Sequence, residues 1–209
     1  MRGIVSGLLM VAAMSTTAAA QDIGTPRSAT YITKAQIDAV RALPGTDRAI
    51  KVVNIGHENF AVGIVHRGPA PDARLAAGGA PAPVTGAAAQ REPCGVQMST
   101  LPAGGTTSMF YHENQTEGYL ITSGSGVLLT GGYVVNGRRG LSPDLNGPTC
   151  SGLVFGDVTK QVVSEGDIII IPAGVPHGWT NIPDHVDYLT FRPSPGILTA
   201  GWTSPAIQP

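Results

Sequence analysis

GDIIIIPAGVPHGWTN, residues 166–181, is the stretch from which the fold is read. Four isoleucines stand between Gly166-Asp167 and Pro172. A short β-branched run bounded by turn residues reads as a strand, Asp167–Ile171. Pro172-Ala173-Gly174 then forms a tight turn, because proline presets φ and glycine tolerates the left-handed region. A second short strand, Gly178–Asn181, follows directly after His177. The unit is strand, turn, histidine, strand.

The same grammar extends outward from this stretch. Strands are expected at Val96–Leu101, Thr107–His112, Gly118–Ser123, Val127–Thr130, Leu153–Phe155, Gln161–Val163 and Val186–Arg192. Turn signals separate them, among them Gly124-Ser125-Gly126, Gly131-Gly132 and Asn136-Gly137. Many short strands at this spacing specify an all-β sandwich or barrel. Composition agrees. Of 209 residues, 28 are Gly and 17 Pro, which disfavours a helix bundle, where each would be destabilising. The charged fraction of 13% against 42% hydrophobic residues argues against disorder. A formal net charge of −1 offers no basic surface for nucleic acid or anionic lipid, so neither partner is expected. Upstream, Thr33 caps one short helix over 33–43, and Ile50–Ile55 and Phe60–His66 form a hairpin. Residues 68–95, with ten Gly or Pro and nine Ala, read as a long surface loop or flap.

A second stretch, FYHENQTEGYLITSG at residues 110–124, turns the barrel toward chemistry. Together the two stretches resemble the cupin superfamily, whose signatures are G-x5-H-x-H-x3-4-E-x6-G and G-x5-P-x-G-x2-H-x3-N. The second matches at Gly166, Pro172, Gly174, His177 and Asn181. The first matches at Gly104, His112, Glu117 and Gly124, with Phe110 where the first histidine belongs. Taking His112 as the second histidine leaves the four residues that the pattern requires before Glu117. The resemblance implies a jelly-roll β-barrel, often homodimeric, holding one divalent iron, manganese, nickel, zinc or copper ion. Carried over residue by residue, the metal ligands are His112, Glu117 and His177.

The donor types support that expectation. Imidazole suits these transition metals, and a carboxylate adds oxygen and negative charge. An unpaired Glu117 inside a small barrel would be costly, and a divalent ion would compensate it. Water, substrate, or a histidine from elsewhere (His57, His66 or His185) would fill the place left by Phe110. Tyr119 shares strand parity with Glu117 and is a candidate acid/base or substrate donor. His66 is a second candidate for moving a proton. Arg67, or Arg192, could clamp a substrate carboxylate.

The chain divides, on this reading, into a signal peptide (1–20), an N-terminal extension of helix, hairpin and loop (21–95), a cupin domain (96–195) and a tail (196–209). The leader is read from Arg2, the apolar run Ile4–Met14, and Ala18-Ala19-Ala20 before Gln21. It implies an exported, periplasmic or secreted protein, in which a Cys94–Cys150 disulfide is allowed and two free thiols are the other reading. The expected function is a metal-dependent enzyme acting on a small, carboxylate-bearing molecule by Lewis-acid (lyase or isomerase) or dioxygenase chemistry. The alternative is a cupin-type protein that binds a ligand or metal without turnover.

Overall fold

A computed structural model describes residues 26–142, 147–193 and 200–208. The expected leader lies outside these residues. One helix, α1 (Lys34–Arg41), precedes nine strands: β1 (Asp47–Asn54), β2 (Asn59–Arg67), β3 (Pro93–Cys94), β4 (Thr106–His112), β5 (Glu117–Ser142), β6 (Gly147–Ser164), β7 (Ile168–Ile171), β8 (His177–Thr180) and β9 (Val186–Pro193). No helix among the described residues is long and apolar enough to cross a membrane.

Helix α1 begins where the sequence places it. Thr33 accepts from the Gln36 amide at 3.3 Å and the Gln36 side chain accepts from the Thr33 amide at 3.1 Å, a reciprocal capping box. The helix buries Val40 against Ile50 and Ile64 on the outer face of the hairpin β1–β2. Arg48 Nη1 donates to the carbonyls of Arg41 and Leu43 at the other end.

Two sheets share β5. In the first, the order is β1-β2-β9, then the opening residues of β5, then β7, all antiparallel. In the second, the rest of β5 pairs with β3, β6 and β8, and β4 pairs with β6. Phe110 of β4 stands opposite His177 of β8, which closes the ring. Between the sheets lies a core of Val65, Tyr119, Ile121, Leu128, Val163, Ile171, Val186 and Tyr188. The result is the jelly-roll barrel expected from the sequence.

Several sequence boundaries shift. Gly124-Ser125-Gly126, Gly131-Gly132 and Asn136-Gly137 do not separate strands but interrupt the single long strand β5. Register shifts occur between Gly131 and Tyr133 and between Val135 and Arg138, so these residues bend and twist a continuous ribbon. Gly124 has a further reason to be glycine. Its φ is +72°, and a Cβ there would lie 2.0 Å from the His185 carbonyl oxygen. Val96–Leu101 is not a strand; it makes only isolated bridges, Val96 to Val135 and Leu101 to Gly79.

The Gly/Ala/Pro-rich segment is stitched to the barrel along its length. Ala70 exchanges two backbone hydrogen bonds with Ile182, Ala76 pairs with Gly104 and Gly105, and the Glu92 carbonyl accepts from Arg139 N. Cys94 then forms a disulfide with Cys150 of β6, with Cα atoms 5.9 Å apart. Their separation of 56 residues makes this a long covalent loop. Reducing the bond, or replacing both cysteines with serine, should lower unfolding stability by about 2–4 kcal/mol. Urea unfolding with and without reductant checks this; identical midpoints with both thiols titratable would contradict it.

Candidate metal centre

Three strand ends build the site. His112 closes β4, Glu117 opens β5 and His177 opens β8, the last positioned by the turn Pro172-Ala173-Gly174. The Gly174 amide donates to the His112 carbonyl at 2.8 Å, so the turn that delivers one histidine is tied to the other. All three side chains are buried, at 2%, 1% and 2% exposure. One ligand atom from each lies within 4.8 Å of the others. His112 Nε2 and His177 Nε2 stand 3.3 and 3.2 Å from the same oxygen, Glu117 Oε2.

This donor set fits a metal ion. The Val175 carbonyl, 3.0 Å from His177 Nδ1, can only accept, so Nδ1 carries a proton. In the neutral ring Nε2 is then a lone pair, and this buried atom makes no hydrogen bond. It faces a carboxylate oxygen, so two acceptors confront each other and a cation between them would satisfy both. Phe110 occupies the place of the fourth protein ligand. Its ring meets His112 and His177 edge-on, with centroids 5.2 and 4.5 Å away.

The carboxylate is not unpaired without an ion, so its burial alone does not call for one. Arg192 Nε donates to Glu117 Oε1 at 2.5 Å, and its Nη2 reaches Asp47 Oδ2 at 2.6 Å. Tyr119 Oη donates to Glu117 Oε2 at 2.5 Å. Burial alone would raise the Glu117 pKa. Against this the Arg192 guanidinium is the largest opposing influence, and the carboxyl is held well below its usual range. Burial, reinforced by the Glu117 charge, pushes Tyr119 well above the ordinary phenol value. Tyr119 therefore keeps its proton and orients the carboxylate as a hydrogen-bond donor.

Other sequence candidates stand apart from this centre. His57 is exposed in the β1–β2 turn beside Glu58. His66 points to the opposite face of β2 and contacts Asp187 Oδ1 through Nδ1 at 2.6 Å. His185 contacts Ser123 and Asp184. Arg67 lies opposite Val186, six positions along the β2–β9 ladder from Arg192, a rise of about 20 Å along the backbone. None of the three remaining histidines joins His112 and His177. Asp47 was not foreseen. It lies just before the strand expected at Ile50, where periodicity carries no signal. Arg192 had one, a charge at an inward-facing position of β9 alongside Tyr188 and Thr190. Gly63 makes room there, since a Cβ would sit 2.7 Å from Thr190 Oγ1 and 3.6 Å from Arg192 Nη1.

Replacing Arg192 with Met should cost about 3–5 kcal/mol, because it strands a buried carboxylate. In wild type the depressed pKa of Glu117 contributes stability above the unfolded value and loses it as pH falls through the folded one. In Arg192→Met burial is unopposed, so the carboxyl is pushed up and its penalty is relieved as pH falls through that raised value. In chelator-treated protein, the difference in urea midpoint between wild type and Arg192→Met should thus be largest above neutral pH and narrow toward the ordinary carboxylate range and below it. A gap that stays constant from about pH 8 to pH 4 would contradict the ion pair.

A family model described as Cupin matches residues 85–204, more than half of the chain. No curated protein matches it in sequence. Among solved structures, the DMSP lyase DddQ from Ruegeria pomeroyi DSS-3 is similar at 12% identity over 71% of this chain and 47% of its own, with a TM-score of 0.33. An oxalate oxidase is similar at 14% identity over 73% and 53%, also at 0.33. The capsular polysaccharide assembling protein CapF from Staphylococcus aureus is similar at 13% identity over 68% and 30%, at 0.31. The chain thus spans about half the length of the first two, and less of the third. With both signatures placed at one end of a closed barrel and the family match running across them, the chain belongs to the cupin family.

Proposed function

We propose that this cupin is an exported, metal-dependent enzyme acting on a small, carboxylate-bearing molecule. The ion, a divalent iron, manganese, nickel, zinc or copper, would be held by His112, Glu117 and His177. One observation carries the reading: the unpartnered, buried Nε2 of His177 confronts Glu117 Oε2, with His112 Nε2 beside it. When bound, the ion supplies a Lewis acid for lyase or isomerase chemistry, or a redox centre for dioxygenase chemistry.

The chain's own residues do the rest. Arg192 and Tyr119 fix the two oxygens of Glu117, so the carboxylate is presented in one orientation. Asp47 offsets Arg192, so a divalent ion with Glu117 would leave a net single positive charge, favouring an anionic oxygen as ligand. Phe110 keeps a hydrocarbon ring against both histidines and excludes water from that side. The Cys94–Cys150 disulfide supports export to an oxidising compartment. Binding without turnover is the second reading, and the near-complete burial of all three ligands favours it.

Protein purified from its native host should carry about one equivalent of transition metal by elemental analysis, and chelation should lower its Tm. Glu117→Gln should abolish retention. Tyr119→Phe should weaken affinity about ten- to a hundredfold. Less than about a tenth of an equivalent, with a Tm indifferent to both chelator and added Zn(II), Mn(II), Fe(II), Ni(II) or Cu(II), would overturn the metal reading. A panel of small carboxylates assayed for conversion by the metal-loaded protein separates enzyme from binder.

A further inference from the structure

Arg67 is the most distinctive charged group that the metal centre leaves unused. It ends β2 and, with Thr46, His66, Ala70, Trp179 and Ile182, lines a cleft of about 350 Å³. Among the described residues its guanidinium forms no ion pair with any carboxylate. A single buried oxygen organises it. Tyr188 Oη accepts from Arg67 Nε at 3.0 Å and from Trp179 Nε1 at 3.2 Å. The Tyr188 ring, 1% exposed, also stacks against the indole at 5.4 Å and 27°. A cation and an aromatic plane are thus both oriented from behind by one tyrosine.

The cleft is distinct from the metal centre. Two buried rings, Tyr188 and Tyr119, stand between Arg67 and Glu117, with centroids 4.4 Å apart. A guanidinium anchored through Nε still presents its Nη edge, which matches a carboxylate in two parallel hydrogen bonds. An indole face favours a flat apolar partner. The volume lies at the low end of small-molecule pockets.

We propose that this cleft is a binding site for a small planar carboxylate of the aromatic-acid class, with its carboxylate on Arg67 and its ring against Trp179. The site lies outside the metal centre and does not require an ion there.

Benzoate is the probe. The chain contains two tryptophans, so Trp202→Phe leaves Trp179 as the sole indole reporter. In EDTA-treated full-length protein at constant ionic strength, benzoate should change Trp179 emission saturably, and benzyl alcohol or acetate should bind at least about tenfold more weakly. Arg67→Gln should weaken benzoate by a similar factor, and Arg67→Lys should restore part of it. Ala70→Leu, which narrows the cleft and leaves Arg67 in place, should also lose binding, and it serves if Arg67→Gln fails to fold. A linear, unsaturable response, or one equal in Arg67→Gln and wild type, would overturn the proposal. So would benzoate binding that needs added metal and disappears in Glu117→Gln, which would move the ligand to the metal centre. Metal content, measured separately, decides the reading of that centre whichever way benzoate behaves.

Discussion

Glu117 is a carboxylate at 1% exposure, and the first sheet is arranged around keeping it ionised there. A charge so placed is tolerable only with an opposite charge and hydrogen bonds close by. Arg192 provides the charge, but Arg192 is itself buried and needs Asp47. Three strands, β5, β9 and β1, are therefore joined through one line of charges that runs across the sheet beneath its backbone ladder. Gly63 on the intervening strand β2 is the space through which that line passes. The carboxylate is held in one orientation by Arg192 and Tyr119 without an ion.

Presenting the histidines to that carboxylate is the work of the second sheet. His112 and His177 come from β4 and β8, which meet only where Phe110 stands opposite His177. That one pairing brings both imidazoles to the same carboxylate oxygen and sets the phenyl ring against them. A histidine in place of Phe110 would add a fourth donor to the cluster, and the phenyl leaves three.

Much of this was legible in the sequence. The Gly, Pro and His spacing of residues 166–181 and the Glu117-to-Gly124 interval point to the barrel and to the His112, Glu117 and His177 cluster that the structure brings together, because turns and strand parity are local properties. Taking His112 as the second histidine of its signature puts Phe110 in the first place, and the structure sets Phe110 against both histidines. What was not legible was non-local. Gly131-Gly132 looks identical whether it reverses a chain or kinks a long ribbon, and only the partner strand decides. Asp47 is distant in sequence from the residues it serves. Arg67 and His66 are adjacent, so at most one of them can face the barrel interior, and position along the ladder removes that one from Glu117. The Gly/Ala/Pro-rich segment carries no periodicity, yet backbone hydrogen bonds hold it to the barrel at intervals.

The disulfide divides the site along the chain. His112 and Glu117 lie between Cys94 and Cys150, and His177 and Arg192 lie beyond it. In an oxidised but unfolded chain, the first pair travels within a closed ring while the second pair hangs on a free arm. Two donors five residues apart are within reach of an ion at all times, but the third arrives only when β8 docks beside β4 and β5. An ion held by all three donors would discriminate between folded and unfolded chains, and its occupancy would report whether that free arm has come home.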